Sequence, residues 1–133
     1  MADVPLIKKL LIKPGMRLAV FNAPEGYVES LGPLPEGSGF VEGPAGSLDF
    51  VQLFVKNRGE YDLLGPAALG AVKSDGLLWI CYPKKSSGVE SDLDRDVVWR
   101  MLEPAGVRPV TQIAINEVWS ALRFRPNDQV NKR

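Results

Sequence analysis

The chain has 133 residues, with 16 basic and 16 acidic side chains, one cysteine and no histidine. That length fits one domain with a substantial core, in which about two thirds of the unfolded chain's surface is buried. Charge balance argues against a general nucleic-acid binder, which carries a basic excess. The missing histidine removes His-ligated metals, Ser–His and Cys–His nucleophiles and the usual neutral-pH proton shuttle, so no metal is expected.

Taken in order, residues 1–9 show no charged segment ahead of a long apolar stretch and do not read as a secretory signal. No run approaches the roughly 18 apolar residues of a membrane span, so the expectation is cytoplasmic with no membrane partner. Leu6, Ile7, Leu10 and Leu11 share a helical face, and Pro14-Gly15 stops that helix. Arg17 to Phe21 reads as a buried strand, followed by the turn Asn22-Ala23-Pro24-Glu25-Gly26-Tyr27. Gly32 to Gly39 is turn chemistry, Phe40-Val41 is a candidate edge strand, and Gly43 to Ser47 is a loop.

Asp49 to Val55 reads as a central strand and Glu60 to Val72 as a helix that Gly65-Pro66 must kink or split. Ser74-Asp75-Gly76 reads as a turn into the strand Leu77 to Tyr82. Cys81 lies in that strand as a small apolar core residue and has no disulfide partner. A helix is expected from Asp92 to Ala105, capped by Ser91 with Asp94 three residues on, and ended by Gly106. Val110–Ile115 and Val118–Phe124, separated by Asn116-Glu117, form a hairpin. Arg123 and Arg125 are read there as a solvated edge.

Apolar strands alternating with helices indicate a parallel sheet covered on both faces. The expected fold is a three-layer, Rossmann-like α/β domain over residues 1–126, mostly parallel and closed by an antiparallel hairpin. Residues 127–133 form a frayed polar tail.

The segment Leu48 to Phe54, the helix after it, and Ala71-Val72-Lys73-Ser74-Asp75-Gly76-Leu77-Leu78-Trp79-Ile80 resemble the second half of class I S-adenosylmethionine-dependent methyltransferases. The resemblance covers about residues 48–125 and rests on topology. A nearly full-length likeness is also present. Asn22 to Tyr27, Trp79, Pro83 to Gly88, Asp92 to Trp99 and Glu117 to Arg123 resemble a family of small bacterial proteins catalogued as a domain of unknown function.

The methyltransferase resemblance implies a Gly-rich turn after the first strand and an acidic residue closing the second, which holds ribose hydroxyls. Here the turn has one glycine and a proline, and Glu42 is the only acid placed to stand in for the ribose ligand. The chain between Phe21 and Asp49 is also short for the family's two additional strands. No cofactor is therefore expected, and the topology reads as truncated.

In open parallel sheets, ligands bind at the carboxyl ends of strands. Those ends deliver Asn22, Glu25 and Tyr27, then Lys56 and Arg58, then Lys84, Lys85, Ser86 and Ser87. Four cations with hydroxyls and loop N–H groups suit a phosphate or carboxylate. An equally plain reading pairs Lys84 and Lys85 with Glu90, Asp92, Asp94 and Asp96 as surface ion pairs. Asp94 is either a base or a structural partner of the lysines. Trp99 lies off its helix's apolar face and is a candidate contact for a protein partner or a second copy.

Two functions remain open. One is a non-catalytic module binding an anionic small molecule or a protein. The other is a small enzyme on a nucleotide or phosphorylated substrate, with Lys84 or Lys85 stabilising charge and Asp94 or Glu25 as base. A degenerate methyltransferase relative stands beside them. Nucleic-acid binding is set aside on charge.

Overall fold

The computed structural model describes residues 5–41 and 46–130. Glu42, the Gly43–Ala45 part of the expected loop and the last three residues of the tail lie outside the described residues. The elements are α1 (Leu6–Lys9), β1 (Arg17–Phe21), α2 (Tyr27–Ser30), β2 (Gly39–Phe40), β3 (Leu48–Phe54), α3 (Arg58–Ala71), β4 (Val72–Pro83), α4 (Arg95–Leu102), β5 (Val107–Ala114), β6 (Trp119–Pro126) and α5 (Asn127–Val130).

One six-stranded sheet runs β2-β1-β3-β4-β6-β5. The first four strands are parallel, and β6 runs antiparallel to both of its neighbours, β4 and β5. On one face, α3 and α4 bury Tyr61, Ala68, Val98 and Leu102 against Val51, Leu53, Ile80 and Leu122. On the other, Tyr27 of α2 and the residues that close α1 and α2, Leu10 and Leu31, join a cluster with Phe50, Phe54 and Trp79. This is the expected three-layer α/β architecture with a terminal antiparallel hairpin.

Several elements depart from the sequence reading. α1 ends sooner, because Leu11 adopts φ 68° and Leu11 N–H closes onto Lys8. α3 is not split at Gly65-Pro66 and runs through both residues. A Cβ on Gly65 would come within 2.9 Å of the Tyr61 ring, so this glycine leaves room for that ring on the helix's own surface. Ser74-Asp75-Gly76 is not a turn. It lies within β4 as a bulge, since Leu48 pairs with Val72 but Phe50 pairs with Leu77. The Asp92–Ala105 helix shortens to α4 plus a 3-10 turn at Glu103–Ala105, with Pro104 in that turn. Its cap is Asp94, which accepts from Val97 N–H at 2.9 Å, while Ser91 accepts from Leu93 N–H. The hairpin loop is longer than two residues. Asn116 Oδ1 accepts from the N–H groups of both Val118 and Trp119. Asn127–Val130 is helical, and Asn127 N–H donates to the Gly106 carbonyl.

Arg123 and Arg125 do not form a solvated edge, because β6 lies between β4 and β5. Arg125 makes a bidentate pair with Asp75, Nε to Oδ1 at 2.9 Å and Nη2 to Oδ2 at 2.6 Å. Asp75 is thereby engaged, and Arg123 Nε is buried with no hydrogen-bond partner. Burial, then the charge of Arg125, lower the Arg123 pKa, against a smaller opposing pull from Asp75. The outer edge, β5, is blunted in three ways. Pro109 lacks an N–H, the register shifts between Pro109 and Thr111, and Lys9 Nζ donates to the Ala114 carbonyl at 2.9 Å.

Two outcomes follow from this corner. The hydrogen bond from Arg125 is the leading cause holding the Asp75 carboxyl below its ordinary value. A depressed folded pKa contributes stability above the unfolded value, near 3.9, that is lost as pH falls through the folded one. Melting followed by circular dichroism from pH 7 to pH 3 should show Asp75→Asn with a shallower acid loss than the parent; equal losses would reject the pair as a source. Arg123→Met should raise the midpoint by about 4 °C, for a gain of about 1 kcal/mol from removing the unpaired buried Nε–H; an unchanged or lower midpoint would reject this.

Candidate functional site

The sheet reverses direction of winding at β1. The chain steps outward from β1 to β2, then returns to β3 on the other side. The carboxyl ends of β1 and β3 therefore flank the position where open α/β sheets take ligands.

The turn there is built without a glycine cluster. Asn22 sits in the left-handed region at φ 60°, a conformation its short polar side chain tolerates. Its Nδ2 donates across the crevice to the Phe54 carbonyl at 2.9 Å, tying the end of β1 to the end of β3. Gly26, at φ 79°, then starts α2.

α2 carries Tyr27 inward, not into an open cleft. The Tyr27 hydroxyl donates to Gln52 Oε1 at 2.9 Å, and Gln52 Nε2 donates to Cys81 Sγ at 3.2 Å. Gln52 and Cys81 are fully buried. Burial raises both titratable groups, the Cys81 thiol to about 12, so each stays protonated at neutral pH. The Tyr27 ring meets Phe54 edge-on at 4.6 Å, and Phe54 meets Trp119 at 5.0 Å. Gln52 was missed in the sequence reading. The signal was present, as it is the one polar side chain inside the run Phe50-Val51-Gln52-Leu53-Phe54.

Beyond β3 and β4, Glu60, Asp92 and Asp94 serve as backbone acceptors. Glu60 Oε1 accepts from Lys56 N–H at 2.6 Å, and Asn57 Oδ1 from Glu60 N–H at 2.8 Å. Asp92 Oδ1 accepts from Arg58 N–H at 3.1 Å, joining the loop after β4 to the start of α3. Asp94 caps α4, and that bond, aided by Lys85, holds its carboxyl below its ordinary value. Lys85 Nζ stands 3.6 Å from Asp94 Oδ2, with the lysine largely in solvent. Lys84 N–H donates to the Val118 carbonyl, and Ser87 Oγ donates to the Lys84 carbonyl while accepting from Val89 N–H. Glu25, Lys56, Arg58 and Ser86 are exposed. Asn57, Glu90, Ser91 and Asp92 line an open hollow of about 400 Å3.

The structure thus joins Lys85 to Asp94 and Arg58 to Asp92. It separates Tyr27, which packs with α1 on one face of the sheet, from α3 and α4 on the other. Trp99 is 38% exposed, with the Arg95 guanidinium 5.8 Å from its ring centroid. Beside it is a hollow of about 140 Å3 shared with Glu103, Val107, Arg108 and Asn127. Among the described residues there is no cluster of three or more metal-ligating side chains, and no helix long and apolar enough to cross a membrane.

No family model matches the chain, and no curated protein matches it. Solved structures do. A SAM-dependent methyltransferase from Aquifex aeolicus aligns over 90% of this chain and 86% of its own, with TM-score 0.56 at 14% identity. The fibrillarin pre-rRNA processing protein of Methanococcus jannaschii aligns over 94% of this chain and 70% of its own, with TM-score 0.53 at 14% identity. A 1,6-didemethyltoxoflavin-N1-methyltransferase from Burkholderia thailandensis, solved with S-adenosylhomocysteine, aligns over 92% and 76%, with TM-score 0.52 at 12% identity. At these identities the likeness is one of fold. The chain has a Rossmann-like, methyltransferase-like α/β fold.

The Asn22 strap is testable through stability. Asn22→Gly keeps the left-handed backbone and loses only the bond to Phe54. Asn22→Ala also carries the left-handed strain of about 1–2 kcal/mol. Urea unfolding should therefore rank Asn22→Ala below Asn22→Gly and both below the parent; an alanine variant as stable as the glycine one would refute the strained turn.

Proposed function

We propose that the chain is a degenerate relative of the S-adenosylmethionine-dependent methyltransferases. In this reading it keeps a ligand site at the strand ends, binds a small anionic molecule there, and lacks turnover. The observation that carries it is the turn after β1, where Asn22 occupies the left-handed position and its side chain spans the crevice to Phe54. The turn stands at the switch point where open α/β sheets take ligands, which supports a binding role. A side chain laid across that crevice occupies space that a glycine-rich turn would leave open.

The absence of turnover is supported by how most polar groups at this end are engaged, Glu25 excepted, which stands exposed. Tyr27 and Cys81 are buried and protonated. Glu60, Asp92 and Asp94 each hold a backbone N–H. A general base needs a free carboxylate within reach of its proton. The anionic class is supported by Lys84, Lys85, Lys56 and Arg58 at the same end of the sheet, with Ser86 exposed beside them.

Thermal shift with millimolar inorganic phosphate, ADP, S-adenosylmethionine and S-adenosylhomocysteine tests this. A ligand at 100 times its Kd contributes about 2.7 kcal/mol, a rise of several degrees in a domain of this size. The expected result is a rise with ADP or phosphate that disappears in Lys84→Ala/Lys85→Ala. A rise with S-adenosylhomocysteine alone, kept in that variant, would replace the anion reading with retained cofactor binding. No rise with any compound would overturn the proposal.

A further inference from the structure

We draw no further inference here: the strongest candidate, the apolar cavity of about 210 Å3 between the end of α3 and the start of β5, lined by Leu78 and Phe124, carries nothing because nothing in the structure shows what covers it.

Discussion

β3 is buried on both faces, and one of its side chains is an amide. Leu53 and Val51 face α3 and α4, while Phe50, Gln52 and Phe54 face α1 and α2. A buried amide without partners costs about 1–3 kcal/mol, so the residues around Gln52 must answer it from inside the protein. Tyr27 does so from α2 and Cys81 from β4. That requirement fixes how α2 enters the sheet and hence how the turn from Asn22 to Gly26 must run. The turn's left-handed residues follow from the need to bring Tyr27 onto Gln52 within a few residues of the end of β1. The same inward Tyr27 packs edge-on against Phe54, whose carbonyl receives the Asn22 amide. One buried polar position on the central strand thus organises the first turn, the helix behind it and the crevice between β1 and β3.

Much of the architecture was legible because its signals are local. Apolar runs at 17–21, 49–55 and 77–82, short and bounded by turn residues, fit strands, and the amphipathic stretch around Val97 to Leu102 fits a helix. What escaped depends on partners distant in sequence. The bulge at Ser74-Asp75-Gly76 reads as a turn because its residues are turn formers, yet Asp75 is kept in β4 by a pair with Arg125, fifty positions away. Arg123 and Arg125 read as solvated because alternation along a hairpin does not say which of its strands is inside. The final strand lies beside β4, and that placement partly covers them.

The candidate site was legible as a location and less so as an arrangement. Strand-end residues can be named from the order of elements alone. Whether a lysine faces a ligand or an aspartate depends on the loop that carries it. Asp92 and Asp94 stand among charges in sequence, but the nearest orphan N–H groups belong to α3 and α4, and a carboxylate beside a helix start is stabilised by both the hydrogen bond and the dipole. The cations of the same segment are consequently left with weak partners. The Lys85–Asp94 contact is long, and its lysine lies mostly in water, where such pairs contribute about 0–1 kcal/mol.

The two ends of the sheet treat exposed backbone differently. At β5 a proline, a register shift and the Lys9 ammonium each remove or cover part of the edge. At β1, no strand among the described residues pairs with Ala19 to Phe21 on the outer side, and the neighbouring side chains are apolar. A bare edge flanked by hydrophobic residues attracts other chains unless something smaller fills it. The protected edge lies farthest from the switch point, and the unprotected one adjoins it.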